Sequence, residues 1–213
     1  IVRECTEGMY GAEESEDHDG AISIVRTSIA ATKAVAEKAW TCAQSRQAPV
    51  TIVHKANVLR VSDGLFRRVA IETIESLGGV KWNEEFVDAA AYHMITDPQK
   101  YSVMLTHAAN GDILSDIGAA VCGGLGFVPS LLSGPRCVLA EPIHGSAPDI
   151  AGKNVADPTG TLLSAAKLLA AIGLHTQAAR LTAAVESHWS AYPSRGIPTD
   201  CVARDVLSHL EQR

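Results

Sequence analysis

The chain has 213 residues, 46% of them hydrophobic and 20% charged, with a formal net charge of -6. That length suits one large domain or two small lobes, and the composition is that of an ordinary globular protein. The negative balance, with no long Lys/Arg run, argues against a nucleic-acid partner; a small anionic substrate needs only a local cluster of cations.

The chain opens at Ile1 without Met, so a preceding segment either has been lost or lies outside this sequence. Residues 1–3 read as a strand ending in charge, and a polar, Gly-bearing stretch occupies 7–20. Residues 21–27 are β-branched enough for a strand, and 28–43 are Ala-rich with apolar residues at helical spacing. Pro49 precedes a buried strand at 50–54, and an amphipathic helix at 62–77 stops at Gly78-Gly79. Residues 86–95 fit no single period. A strand at 102–106, an Ala-rich helix at 113–123 and a strand at 137–140 follow. The stretch 145–158, dense in Gly, Pro, Asp and Asn, is a loop, and helices are expected at 159–172 and 177–189. Strands alternating with longer helices predict an α/β fold.

The apolar stretch 162–174 is interrupted by Ser164, Lys167 and Gly173 and is too short to cross a bilayer. No charged leader followed by an apolar segment is visible, so no secretory signal and no membrane partner are expected. Cys5, Cys42, Cys122, Cys137 and Cys201 are scattered, odd in number and free of C-x-x-C spacing. They are read as reduced thiols of an intracellular protein, cytoplasmic or of the mitochondrial matrix.

Four groups of residues carry candidate chemistry. Arg3, Glu4, Glu7 and Tyr10 lie at a strand end and in the loop after it, where an Arg can grip a carboxylate and a Tyr can move a proton. A surface ion pair beside a packing Tyr is the plainer reading. Lys55 follows a buried apolar run, which leaves it partly desolvated and usable as a proton acceptor, or simply snorkelling from a strand edge. Asp112 and Asp116 stand four apart, on one face of a helix if the helix begins there. Two such carboxylates suit a hard divalent cation; the alternative is helix-start capping by Asp112 and a solvated Asp116. Asp88, alone among Val87 and three alanines, is a candidate third ligand. The loop HGSAPDIAGKNVADP (144–158) has small residues that admit close approach of a ligand and acids that can accept from ribose hydroxyls. Gly123-Gly124-Leu125-Gly126 does not satisfy G-x-G-x-x-G, and no phosphate-binding P-loop motif is present.

Taken together, IVRECTEGMY, HKANVL, VDAAAYHM, GDILSDIGAAVCGGLGFVPS and EPIHGSAPDIAGKNVADPTGTLLSAAKLL resemble the β-decarboxylating dehydrogenases, in that family's order and close to its spacing. The family includes isocitrate, homoisocitrate, isopropylmalate and tartrate dehydrogenases. The resemblance implies its two-lobe α/β fold, with residues 1–122 as the dimerisation and substrate/metal lobe. Residues 123–213 would be the C-terminal part of the cofactor lobe, whose N-terminal part is absent. It implies NAD-dependent, Mg²⁺- or Mn²⁺-dependent oxidative decarboxylation of a 2-hydroxy acid. Arg3 matches the substrate-carboxylate arginine, Tyr10 the tyrosine that protonates the enol, and Lys55 its partner in proton transfer and substrate binding. Asp88, Asp112 and Asp116 match the metal-binding aspartates. Lys55 and Asp88 would enter the partner's active site, so a homodimer with shared sites is implied. Asn57 and Glu141 match contacts on the nicotinamide side, and His144, Gly145, Ser146, Ala147, Asp149 and Asp157 hold the adenosine half of the cofactor. Asp149, where NADP-linked relatives carry Lys, points to NAD.

The chain departs from the family's pattern in its middle and towards its end. Residues 106–110, Thr-His-Ala-Ala-Asn, replace the usual Asn-apolar-aromatic sequence, and Asp157 replaces an Asn. The stretch around Thr199-Asp200 lacks the usual Asp-Leu-Gly-Gly. The altered 107–110 segment supports an alternative, a non-catalytic regulatory subunit of a heteromeric isocitrate dehydrogenase; the intact Arg3, Tyr10, Lys55 and three aspartates favour the enzyme. Thr6-Glu7-Gly8 leans towards isocitrate or homoisocitrate rather than isopropylmalate.

Overall fold

The computed structural model describes residues 1–192 and 196–211. The chain separates into two units, Ile1–Val121 and Cys122–Arg213.

In the first unit the chain runs through β1 (Val2–Arg3), β2 (Glu13–Glu16), β3 (Ala21–Ile24), α1 (Ile29–Arg46), β4 (Val50–His54) and α2 (Ser62–Leu77). It continues through β5 (Trp82–Phe86), α3 (Val87–Thr96), β6 (Val103–Thr106) and α4 (Ala108–Val121). Four strands pair in parallel in the order β1-β6-β4-β5, and β2–β3 is a separate antiparallel hairpin with exposed residues throughout. Every residue of β4 is buried, as a central parallel strand covered on both faces requires. The period-two alternation of strands divides the core. Val50, Ile52, Val103 and Leu105 pack with Val35, Ala36 and Ala39 of α1 and Phe66, Ala70 and Ile74 of α2. Val53 and Met104 pack instead with Ala90 and Met94 of α3 and Leu114 of α4. Burying a side chain such as Phe66 or Ile52 contributes about 1.5–3 kcal/mol. Helix α1 starts at Ser28, whose side chain accepts the Ala31 N–H at 3.2 Å, and α2 ends at Gly78, whose φ of 64° favours glycine.

The second unit contains an antiparallel hairpin of β7 (Pro129–Ser133) and β8 (Val138–Pro142), then α5 (Thr159–Ala171), α6 (His175–Ala191) and α7 (Thr199–Glu211). Ala184, Val185, Val202 and Val206 form its buried centre, with Leu162, Leu163, Trp189 and Leu210 against it. Trp189 donates to Thr159 Oγ1 at 2.9 Å, and buried His188 reaches Asp205 at 2.7 Å, joining α6 to α5 and α7.

The α/β expectation holds, and the helices expected at 28–43, 62–77, 159–172 and 177–189 form with small shifts of their ends. Residues 86–95 resolve as α3, preceded by β5, whose polar WNEEF sequence hides an edge strand. Helix α4 begins at Ala108 rather than 113, so Asp112 lies inside the helix and does not cap its start. Strand β7 and helix α7 have no counterpart among the elements expected from the sequence. Among the described residues no helix is long and apolar enough to cross a membrane.

Candidate active site

In a parallel sheet, ligands gather at the carboxyl ends of the strands. Arg3 ends β1, Lys55 follows β4, Asp88 lies in the first turn after β5, and His107 follows β6. The topology therefore brings the candidates of the first unit to one sheet edge.

Arg3 and Tyr10 converge on Asp112. The Arg3 guanidinium donates to Asp112 Oδ1 at 2.7 Å, and the Tyr10 hydroxyl donates to the same oxygen at 2.7 Å. Gly111 makes the approach possible, because a Cβ there would lie 2.5 Å from the Arg3 Cβ. The loop between Arg3 and Tyr10 is tied down by its acids. Buried Glu4 accepts from the backbone and hydroxyl of Thr6 and from the Glu7 N–H, and Glu7 accepts the Ser28 N–H at 2.6 Å. Glu4 and Glu7 thus shape the loop, while Arg3 and Tyr10 present their polar ends to α4. Arg3 and Tyr10 hold the Asp112 carboxyl below its ordinary range, and Asp112 in turn pushes the Tyr10 phenol upward. Against the opposing effect of burial, Asp112 also raises Arg3. Asp116 is exposed one turn further along α4.

Lys55 meets Asp88 in a separate group. Its Nζ donates to Asp88 Oδ1 at 2.5 Å, and this bond lowers the carboxyl of Asp88. Asn57 lies exposed in the turn that follows, where Val58 and Leu59 N–H groups both donate to the Lys55 carbonyl at 2.9 Å. Among the described residues no hydrogen bond or ion pair joins this group to Arg3, Tyr10 and Asp112.

Asp63 is not among the candidates expected from the sequence, and His107 enters there only within the divergent 107–110 segment. Asp63, in the first turn of α2, is buried, and its Oδ2 accepts the Lys55 backbone N–H at 2.6 Å. His107 Nε2 lies 3.1 Å from the same oxygen. Burial pushes the Asp63 carboxyl up, but His107 and the Lys55 N–H outweigh it and hold the group below the ordinary range. An acid in a helix-start sequence, Ser-Asp-Gly-Leu-Phe, and a polar residue straight after the apolar Val-Met-Leu-Thr strand were the available signals.

In the second unit Glu141 is exposed on β8, opposite Ser130 of β7. The loop 144–157 carries a short 3₁₀ turn, Pro148–Ile150, that presents Asp149 to solvent. Gly145, Ser146 and Ala147 lead into it exposed, and His144 Nδ1 lies 2.9 Å from the Gly145 carbonyl. Asp157 accepts the Thr159 N–H at 2.9 Å at the start of α5, a role an Asn oxygen would fill equally. The divergent Thr199-Asp200 begins α7 and anchors this loop: Asn154 donates to Asp200 Oδ1 at 2.5 Å and accepts the Asp200 N–H at 3.1 Å.

Asp112 and Asp116, one turn apart on a helix face, are hard oxygen donors of the kind Mg²⁺ or Mn²⁺ takes. The Arg3 and Tyr10 bonds to the Asp112 carboxylate both fall on Oδ1. Among the described residues of the single chain, no three His, Cys, Asp or Glu side chains gather to hold an ion. The donor chemistry fits a divalent cation, and the pair needs further ligands from elsewhere.

Comparison with known proteins shows the chain's family and fold. 3-Isopropylmalate dehydrogenase of Mycobacterium bovis (strain BCG / Pasteur 1173P2) is 39% identical over 218 residues, covering 99% of this chain and 65% of the relative. The mitochondrial NAD isocitrate dehydrogenase subunit alpha of Homo sapiens is 44% identical over 186 residues, covering 86% and 51% respectively. The chain thus spans less than two thirds of the length of these curated relatives. The crystal structure of isocitrate dehydrogenase from Methylococcus capsulatus superimposes with a TM-score of 0.92 at 31% identity, over 99% of this chain and 66% of that one. The family description isocitrate/isopropylmalate dehydrogenase matches residues 1–206, and the chain belongs to that family.

Proposed function

We propose that this chain carries the substrate, metal and adenosine-binding residues of an NAD-dependent dehydrogenase that oxidises and decarboxylates a 2-hydroxy acid bearing a 3-carboxylate. The observation that carries this reading is the convergence of Arg3 and Tyr10 on Asp112 at 2.7 Å each. It joins a carboxylate-gripping cation, a proton donor and a candidate metal ligand at one strand end. Arg3 holds the substrate's carboxylates through paired charge-assisted bonds. Lys55 takes the hydroxyl proton as the alcohol becomes a ketone, and after CO₂ leaves, Tyr10 protonates the enolate carbon. Its phenol, raised by Asp112, stays protonated and able to donate. NAD, held through Asn57, Glu141 and the loop from His144 to Asp157, supplies the electron acceptor. Asp88, Asp112 and Asp116 would hold Mg²⁺ or Mn²⁺, which would supply Lewis-acid stabilisation of developing negative charge. Asp88 and Lys55 would come from the second subunit of a homodimer. Thr6-Glu7-Gly8 favours isocitrate or homoisocitrate over isopropylmalate or tartrate.

The full-length protein assayed with Mn²⁺ and these four acids should reduce NAD with at least one of them. No turnover of any acid refutes the reading. The altered 107–110 segment favours the second reading, a regulatory subunit without catalysis, which predicts that result together with loss of Mn²⁺ binding. Cofactor choice turns on Asp149, which can accept from ribose hydroxyls and repels the 2′-phosphate of NADP. Asp149→Lys should lower kcat/KM for NAD relative to NADP; a wild-type preference for NADP, or an unchanged ratio in the variant, removes that role.

A further inference from the structure

Lys55 is held by its backbone to a degree its side-chain role alone does not require. Its carbonyl accepts from Val58 and Leu59 N–H groups, both at 2.9 Å, and its own N–H donates to Asp63 Oδ2 at 2.6 Å. Both polar backbone atoms are therefore engaged. Asp63 is not a surface cap: its side chain is 3% exposed. A buried carboxylate is costly unless well partnered, and an apolar residue in the first turn of α2 would fill the space at lower cost. The partner that offsets this cost is His107, whose Nε2 lies 3.1 Å from the same Oδ2. A carboxylate oxygen that already accepts from Lys55 tolerates Nε2 at that distance only if the nitrogen carries a proton. His107 is itself held edge-on against the Phe66 ring, with centroids 5.5 Å apart. Strands β4 and β6 are neighbours in the sheet, and Thr106 Oγ1 donates to the Val53 carbonyl at 2.9 Å. One carboxylate thus ties the ends of two strands, at the residue after each.

We propose that Asp63 and His107 form a positioning couple that fixes the backbone at Lys55 and so aims its amino group at the reacting substrate. The couple rests on the reading of Lys55 as the proton-transfer group; neither member touches substrate. It also gives the divergent 107–110 segment a function, since His107 supplies the donor that keeps the Asp63 carboxylate charged and in place. A misplacement of about 1 Å in a catalytic group can cost roughly a hundredfold in rate, which sets the scale expected.

The test uses the full-length protein with isocitrate and 3-isopropylmalate as substrates, and compares His107→Ala, His107→Gln and Lys55→Met. In His107→Ala, kcat should fall about ten- to a hundredfold with KM for the hydroxy acid changed less than about twofold. The solvent deuterium isotope effect on kcat should rise as proton transfer slows, and hydrogen exchange at the Lys55 amide should accelerate. His107→Gln places an amide N–H near the position of Nε2 and should restore most of both. Loss of folded protein with unchanged isotope effect and unchanged Lys55 exchange would mark a merely structural role and overturn the proposal. Normal kcat in His107→Ala beside an inactive Lys55→Met refutes the couple alone. Normal kcat in Lys55→Met refutes the reading of Lys55 and the couple with it.

Discussion

At Gly111 a missing side chain determines where a charged one can go. A Cβ there would meet Arg3 Cβ at 2.5 Å, Arg3 Cδ at 2.9 Å and Thr106 Cγ2 at 3.1 Å. The Arg3 Cβ is fixed to the backbone of β1 and cannot swing aside, so either the strand or α4 must move. Gly111→Ala should destabilise the protein by about 1–3 kcal/mol through overpacking. It should also separate Arg3 from Asp112, and KM for the hydroxy acid should rise roughly tenfold if that pairing sets the guanidinium's position, since bonds to charged groups contribute about 1.5–3 kcal/mol. Gly64→Ala is the matched control. A Cβ at Gly64 meets nothing within 4 Å, and the residue lies in α2. That substitution should be neutral or stabilise by up to about 1 kcal/mol. Equal melting shifts in the two variants would show that Gly111 is not held by the contact with Arg3.

The strand that leads to Lys55 carries a titrating group in its interior. His54 is buried at the end of β4; its Nδ1 accepts the Ala56 N–H at 3.2 Å, and its Nε2 lies 3.6 Å from Glu84, whose carboxylate is held by Arg67. Burial pushes the imidazole below its ordinary value, more than Glu84 pulls it up. The unfolded chain therefore binds a proton that the folded chain resists, and stability must rise with pH across this titration. The contribution is full above about pH 6.5 and is lost as pH falls towards the depressed folded value, with a slope of at most about 1.4 kcal/mol per unit. Urea unfolding between about pH 7 and pH 5, above the ordinary carboxylate range, should show this slope in the wild type and a flatter one in His54→Gln. An equal slope in both would assign the pH dependence to other groups. The same strand shows which elements were legible. Val50–His54, α1 and α2 announce themselves because apolar runs and helical periods reflect burial on a defined face. Trp82–Phe86 does not, because an edge strand with an Asn and two acids in its middle has no apolar pattern. The start of α4 was misplaced because Ala108, Ala109 and Asn110 lack a helical stripe, and what sets that end is His107 bonded to Asp63, a tertiary contact. For the same reason Arg3, Tyr10 and Asp112 could be named from motifs, whereas the carboxylate beneath Lys55 could not.

At the scale of the whole molecule, the first unit presents two incomplete groups of reactive side chains. Arg3, Tyr10 and Asp112 form one, with Asp116 a turn away; Lys55 and Asp88 form the other. Among the described residues of one chain no three carboxylates gather to hold an ion, although the reaction proposed needs Lys55 near Tyr10 and the cation near both. A two-fold symmetric dimer resolves this, because an isologous contact that brings one chain's second group to the partner's first group does so twice. Each active site would then contain Arg3, Tyr10, Asp112 and Asp116 of one subunit with Lys55 and Asp88 of the other. Complementation provides the decisive measurement. Lys55→Met and Asp112→Asn should each be inactive as homodimers, every site lacking one group. Unfolded together and refolded as an equal mixture, half of the dimers should be mixed. In each mixed dimer one site collects both defects and the other is intact. Activity should therefore return to about one quarter of the wild-type value. Sites built within single chains would give inactive mixtures at every ratio, and that outcome would remove the shared-site assignment of Lys55 and Asp88.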